Sequence, residues 1–289
     1  MQIGNRVFDL NNGKTYIAGI LNLTPDSFSD GGKALEKGVI AAALALEEDG
    51  ADMLDVGAES TRPGARFIPE PEERERLLPA LLELKKRITI PISVDTYKAE
   101  IAAAALDAGA DMINDVHGLR TPDLKDSGMA KVIAEYRVPV VIMHNDFLSR
   151  DPSERTAAQL EAAGVIPGTD IVQRVTEGLS AGIAIAKAAG VEEDQIALDP
   201  GIGFGKSHEE ELELLKRLKL LSGLGCPLYL GTSRKSLIGD VLDLPVDQRE
   251  EGTLVTTILA AQAGCSFVRV HDVRANRRAL DMLTAIREA

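Results

Sequence analysis

The chain has 289 residues, 45% of them apolar, with only 3% aromatic residues and no tryptophan. That gives an aliphatic core and room for one domain the size of a parallel α/β barrel, about 250 residues. Lys and Arg number 32 against 45 Asp and Glu, a net charge of −13 and a pI near 4.9. This balance argues against a general nucleic-acid binder or a protein of anionic membrane surfaces. Any anionic substrate must then be held by a local cluster of cations. Cys226 and Cys265 form no CxxC pair and read as core thiols of a reducing cytosol. No apolar run approaches the ~18 residues of a membrane span. Residues Met1 to Leu10 lack the basic start and apolar stretch of a signal peptide, so a soluble, cytoplasmic protein is expected.

In chain order, Val7–Leu10, Asn11-Asn12-Gly13 and Lys14–Ile17 read as a hairpin with an Asn-Gly turn. Such a hairpin is placed to plug the bottom of a barrel. A rhythm follows in which a short apolar run ends in polar residues and leads into an amphipathic helix. The runs are Tyr16–Leu21, Met53–Val56, Ile90–Val94, Met112–Asn114, Pro139–Met143, Gln195–Leu198, Pro227–Leu230 and Phe267–Val270. Several are continuously apolar, as strands covered on both faces must be. Between them lie helix-length stretches with apolar positions three and four apart: Leu35–Gly50, Glu72–Lys86, Lys98–Ala108, Ile171–Ala189, His208–Leu221 and Glu251–Ala263. Gly50, Gly109, Gly190 and Gly264 each close a helix ahead of a strand. Repeated β-α units of this kind predict a single (β/α)8 TIM barrel with an N-terminal β-hairpin. The hairpin would take about residues 1–15 and the barrel about 16–289. A doubly wound open sheet is the competing topology.

In a parallel barrel the chemistry sits at the C-terminal ends of the strands. Those ends carry Asn22, Asp55, Asp95, Asn114-Asp115, His144, Asp199, Ser233-Arg234-Lys235-Ser236 and Arg269-Val270-His271. Any one of these residues alone reads as a helix cap. Polar or glycine-rich groups at all eight ends point to a site. Buried carboxylates at Asp95 and Asp199 need donors, and a flat heterocycle with a ring N–H beside an exocyclic amine supplies them as a pair. Asn114 both donates and accepts, which suits an amide-like edge. Arg62, Lys206, Arg234, Lys235 and Arg269 form the candidate cation cluster, with Lys206 as easily a scattered surface charge. Arg269 and His271 alternate with Val270 and share a face. The Ser236 hydroxyl, at the start of the next helix, makes a second anion site that suits a carboxylate. Two anion sites and an amide-edge pocket predict a transferase joining two small molecules.

The segment Asn22-Leu23-Thr24-Pro25-Asp26-Ser27-Phe28-Ser29-Asp30-Gly31-Gly32 resembles the first signature of dihydropteroate synthases, and Asp52–Gly64 resembles the second. Ser93-Val94-Asp95-Thr96, Ile113-Asn114-Asp115-Val116, Asp199–Lys206, Ser233–Ser236 and Arg269–Val273 match later segments in family order, covering roughly residues 15 to 275. The resemblance implies a homodimeric barrel that condenses a 6-hydroxymethyl-dihydropterin diphosphate with 4-aminobenzoate in folate biosynthesis, the target of sulfonamides. It implies that Asp95, Asn114, Asp199 and Lys235 hold the pterin. Asn22, Arg62, Arg269 and His271 would hold the diphosphate, with Asn22 near a Mg²⁺ ion. Phe28, Thr61, Arg62, Pro63, Phe204, Lys235 and Ser236 would surround 4-aminobenzoate. Asp26 and Arg62 would lie on mobile loops that close over it. Asp95, Lys235, Arg269 and His271 are the implied catalytic set.

Three departures from the family pattern stand out. Asn145-Asp146-Phe147 opens an unusual stretch to about Thr169, with a helix start at Asp151–Glu154 and a turn at Val165–Gly168. Glu211 stands where Asn is frequent and reads as surface variation. Leu237 replaces a frequent Phe and reads as a packing change. The nearest rival is a pterin-binding methyltransferase domain, which does not need the Ser-Arg-Lys segment, the diphosphate site or the Thr24–Phe28 loop. His117, His144 and His208 stand in no metal-binding spacing. The Gly201–Lys206 stretch lacks the Walker spacing, and its glycines are expected to let backbone approach a flat ring.

Overall fold

A computed structural model describes residues 1–23, 33–59, 68–121, 126–147, 156, 159–160, 165 and 168–289, with the side chains of 33–37 excepted. Eight parallel strands form one sheet: β3 (Tyr16–Asn22), β4 (Met53–Gly57), β5 (Ile92–Asp95), β6 (Met112–Asp115), β7 (Val140–Met143), β8 (Ile196–Asp199), β9 (Tyr229–Gly231) and β10 (Phe267–Val270). They run β8-β7-β6-β5-β4-β3-β10-β9. A parallel bridge between Leu198 and Leu228 joins the two ends, and Leu198 N–H donates to Pro227 O at 2.9 Å. The sheet therefore closes, and the open doubly wound alternative is excluded.

Helices α1 (Lys33–Glu48), α2 (Glu70–Leu84), α3 (Ala99–Asp107), α4 (Met129–Tyr136), α5 (Ile171–Ala189), α6 (His208–Lys216), α7 (Ser236–Leu242), α8 (Glu250–Ala263) and α9 (Val273–Glu288) lie between and after the strands. Their buried stripes meet the outward faces of the strands in a large aliphatic core, as Leu77, Leu81 and Leu84 of α2 do beside Leu54 and Val56 of β4. Gly190 and Gly264 close α5 and α8 in the left-handed conformation expected of them.

The N-terminal hairpin is real but shorter and earlier than expected. It pairs β1 (Gln2–Ile3) with β2 (Arg6–Val7) around Gly4-Asn5. The Asn11-Asn12-Gly13 turn is not its turn. Tyr16 is drawn into the barrel instead, opposite Phe267 of β10, so Lys14–Ile17 cannot pair back on Val7–Leu10. The turn groups are satisfied locally: Asn11 N–H donates to Asp9 Oδ1 at 3.0 Å and Lys14 N–H to Asn12 Oδ1 at 2.9 Å.

The hairpin does plug the barrel. Ile3 and Phe8 are buried against the inward residues Ala18, Met53, Met112, Val141, Ala197, Tyr229 and Phe267. The Phe8 ring meets Tyr16 edge-on with centroids 4.9 Å apart and Phe267 at 5.5 Å. Asp52 fastens the plug: it accepts from Ile17 N–H at 2.8 Å and Arg6 Nη2 at 2.9 Å, and also pairs with Arg277 of α9. Because side chains alternate along a strand, the next inward residues form the layer above. That layer carries Asp55, Asp95, Asn114, Asp199 and Arg269, with Ile20 in register with Asp55 and Met143 with Asp199. An apolar floor thus carries a charged chamber at the C-terminal end of the barrel.

Candidate active site

Arg269 organises the chamber. From β10 its Nη2 donates to Asp95 Oδ2 at 2.9 Å, and its Nε donates to Asp55 Oδ2. Asp55 Oδ2 also accepts from Asn114 Nδ2 at 3.1 Å. Strands β4 and β5 thereby present two carboxylates to one guanidinium, and β6 adds an amide that donates to the Asp55 carboxylate. Burial opposes the Arg269 charge, but Asp55 and Asp95 outweigh it and hold its pKa above the ordinary value. Burial lifts Asp95 to about 7; Arg269 opposes the rise and Asp55 adds to it. The Oδ1 atoms of Asp55 and Asp95 and the Ser93 hydroxyl oxygen are buried with no hydrogen-bond partner. Buried acceptors in that condition call for donors from a ligand.

Asp199, at the end of β8, also faces inward. Its Oδ1 accepts Gly201 N–H at 2.7 Å, and burial raises its pKa against the pull of Lys235. Lys235 caps α7; its Nζ donates to Ile202 O and stands 4.3 Å over the Phe204 ring. Burial brings Lys235 down to about 8, with Asp199 opposing. His271 follows β10, and its Nδ1 lies 2.9 Å from Ser233 Oγ. The same oxygen accepts His271 N–H at 3.2 Å. Asn22 ends β3 opposite Gly57, with its side chain exposed. Ser236 opens α7 beside Lys235.

The predicted Asp95, Asn114, Asp199, Lys235 and Arg269 are thus brought to one chamber, with Phe204, Ser236, Asn22 and His271 on loops or strand ends of the same barrel face. Asp26, Phe28, Thr61, Arg62 and Pro63 lie outside the described residues, as does the helix start at Asp151–Glu154.

Three expectations are corrected. Lys206 is neither a mouth cation nor a surface charge. It is fully buried, and its Nζ donates to the carbonyls of Gly201, Phe204 and His144. Arg234 turns away from the mouth, because its residue adopts φ 56° and its guanidinium faces Glu250 of α8 at 3.6 Å. Glu211 is no surface variation: it is fully buried on α6 and accepts Gly203 N–H at 2.7 Å. The glycines after β8 also serve other neighbours than a ring. A Cβ on Gly201 would stand 1.9 Å from His144 O, and one on Gly203 would stand 2.9 Å from Lys235 Cδ. Leu237 is buried, in keeping with a packing change.

Sequence reasoning placed Asp55 at a strand end but gave it no role; its signal is its polar character at the inward position of an otherwise apolar run, and its partners are Arg269 and Asn114. Sequence reasoning passed over Lys98, which donates to Glu59 Oε2 at 2.6 Å, Glu73 Oε2 at 2.6 Å and Ile68 O at 2.7 Å. That buried cluster braces the end of β4 against α2. A cavity of about 360 Å³ at the opposite end of the barrel is lined by Arg6, Tyr16, Asp52 and Arg277 among others and contains none of the chamber residues.

The family model described as pterin binding enzyme matches residues 18–271. The dihydropteroate synthase of Clostridium beijerinckii is 45% identical over 288 residues, covering 99% of both chains. This chain belongs to the dihydropteroate synthase family. The Bacillus subtilis member is also 45% identical, covering 94% of this chain and 89% of its own. A Clostridium difficile dihydropteroate synthase crystallised in the presence of pteroic acid superposes with a TM-score of 0.85 at 42% identity, covering 99% and 98% of the two chains. The Xanthomonas albilineans enzyme in complex with 7,8-dihydropteroate superposes with a TM-score of 0.82 at 37% identity, covering 99% and 97%. Among the described residues no helix is long and apolar enough to cross a membrane.

Proposed function

We infer that this chain joins (7,8-dihydropterin-6-yl)methyl diphosphate to 4-aminobenzoate, giving 7,8-dihydropteroate and diphosphate in folate biosynthesis. The observation that carries this reading is the pair of unpartnered, buried carboxylate oxygens on Asp55 and Asp95 beside Asn114. A pterin edge, with ring N–H and exocyclic amine, supplies the donors those oxygens lack. Asp199 and Lys235 face the same chamber and would complete the pterin's contacts.

The chemistry needs little acid–base work. The C–O bond to diphosphate breaks with its electron pair leaving on the diphosphate oxygen, and the electron-rich dihydropterin shares the positive charge left on the methylene carbon. The aniline nitrogen of 4-aminobenzoate attacks that carbon, forms the C–N bond and releases a proton. Ionised Asp95 stabilises the cationic pterin, and Arg269 with His271 stabilises charge on the departing oxygens. Arg269 uses Nε and Nη2 on the carboxylates, which leaves Nη1 for the anion. Thr61, Arg62, Pro63, Phe28, Phe204 and Ser236 are proposed to hold 4-aminobenzoate, with Ser236 at its carboxylate. Water kept from the chamber cannot trap the cation as the alcohol.

Magnesium is proposed as the cofactor. An ion carried by diphosphate keeps several waters and takes few protein oxygens, and the exposed amide of Asn22 fits such a ligand. Bound there, the ion would neutralise charge on the leaving group. We also propose a homodimer in the cytoplasm. Val241, Leu242, Val246 and Val255 are exposed apolar residues grouped on α7, α8 and the segment between them. Cys226 and Cys265 are both unpaired thiols.

Mixing both substrates with and without Mg²⁺ tests the reading. Diphosphate release matched one to one by dihydropteroate supports it. Diphosphate released without consumption of 4-aminobenzoate, or none released, overturns it. Asp95→Asn and Lys235→Ala are each expected to lower single-turnover rates by about 10²-fold or more, and near-wild-type rates in both would remove these residues from the mechanism.

A further inference from the structure

The loop after β8, residues 201–204, is held from two sides by buried charges that the reaction itself does not use. Lys206 Nζ has three N–H donors and meets three carbonyls: Gly201 O at 2.8 Å, Phe204 O at 3.1 Å and His144 O at 3.2 Å. Burial pulls Lys206 down to about 8, opposed by Asp146, Glu211 and Asp199. From α6, the buried Glu211 carboxylate takes Gly203 N–H at 2.7 Å. The remaining groups of the same loop face the chamber. Ile202 O receives Lys235 Nζ, the Phe204 ring lies 4.3 Å under that ammonium, and Gly201 N–H holds Asp199 Oδ1 at 2.7 Å. Gly203 packs so closely on Lys235 that a Cβ there would come within 2.9 Å of it. A shift of this loop is therefore a shift of Lys235 and Phe204.

We propose that Lys206 and Glu211 are positioning residues, which clamp the backbone of 201–204 and so set where Lys235 and Phe204 meet the aromatic amine substrate. The inference rests on the proposed reaction. A loop held only by its glycine turns would let Lys235 follow Ile202 O away from the chamber. A carboxylate behind Gly203 and an ammonium across Gly201 and Phe204 oppose that, because a shifted loop would break the Gly203 N–H bond and the three carbonyl bonds at buried sites where water does not replace them.

The test uses the full-length enzyme with Glu211→Ala, Glu211→Gln and Lys206→Met, and Thr257→Val as a control. Thr257 donates to Asn276 at 2.7 Å between α8 and α9, so its loss weakens the fold without touching the loop. Steady-state kinetics in 4-aminobenzoate, calorimetric binding of pteroic acid and thermal melts are measured on each. Glu211→Ala is expected to lower kcat/KM for 4-aminobenzoate and to weaken pteroic acid binding at least tenfold. Glu211→Gln keeps an oxygen for Gly203 N–H and stays within threefold of wild type. Thr257→Val, even with an equal loss of melting temperature, stays within twofold. Lys206→Met, where it folds, follows Glu211→Ala; where it does not, the Glu211 pair decides. Glu211→Ala within twofold of wild type overturns the proposal, and so does a Glu211→Gln defect equal to that of Glu211→Ala. Wild-type enzyme that binds pteroic acid without turnover refutes the reaction while the binding arm still measures the clamp. Wild-type enzyme that does neither overturns both.

Discussion

Replacing Asp55 by Asn is expected to move the acid side of the pH–rate profile downward. Asp55 is fully buried and shares the Arg269 guanidinium with Asp95. Asp95 sits at about 7 because burial disfavours its charge; Arg269 opposes that effect and Asp55 adds to it. At roughly 6 Å and an effective dielectric of about 20, one carboxylate opposes ionisation of another by about 3 kcal/mol, or about 2 pKa units. Asn keeps the shape of Asp55 and removes its charge. The repulsion disappears, and Arg269 is left with one carboxylate instead of two. Both changes ease ionisation of Asp95, so its pKa falls.

The reaction needs Asp95 ionised against a cationic pterin, so wild-type kcat/KM for the pterin diphosphate rises with pH through about 7. In Asp55→Asn that limb moves down by about 1 to 2 units. The alkaline limb, from loss of the Lys235 proton near 8, changes little. Stability runs the opposite way with pH. The folded state keeps the Asp95 proton up to about 7, while an unperturbed aspartate in the unfolded chain loses it at 3.8. Wild-type stability therefore falls as pH rises between those values, and the variant shows a smaller fall. Initial rates from pH 5 to 9 at constant ionic strength, with chemical melts at the same pH values, make the test. An acid limb that stays in place or moves upward would refute the shared-guanidinium account.

Ser233→Ala removes the hydroxyl that meets both the ring and the N–H of His271; kcat/KM should fall about tenfold, Ser233→Thr should recover most of it, and an unchanged Ser233→Ala would show that the ring needs no such guide. Gly201→Ala places a Cβ 1.9 Å from His144 O at φ 71° and should destabilise by about 3 kcal/mol or more, read as the shift in denaturant midpoint; a folded variant of wild-type stability would mean the loop is not packed as described. Phe8→Ala empties the plug under the chamber and should cost about 3–5 kcal/mol, or about 10 °C of melting temperature in a chain of this size, while the pterin affinity of the folded fraction at 25 °C stays within threefold. A larger loss of affinity than of stability would show that the floor and the chamber are not separate layers.

The barrel was readable because its signals are local. Continuous apolar runs such as Pro139–Met143 end in polar residues, and Gly190 and Gly264 close the helices between such runs. Asp95, Asn114 and Asp199 stand at strand ends, so once the strands were placed their common face followed. Asn11-Asn12-Gly13 misled for the same reason. Its turn chemistry is genuine, but Tyr16 gains more from joining β10 than from closing a hairpin.

The parallel barrel and the polar residues at its rim follow from periodicity and capping, which depend on near neighbours along the chain. How the charges are shared does not follow from them. Asp55 meets Arg269 across 214 positions of sequence, Lys206 spends its ammonium on His144, 62 residues away, and Arg234 turns to α8. Charges pair through space and burial sets their energy, and both are fixed only when the sheet closes.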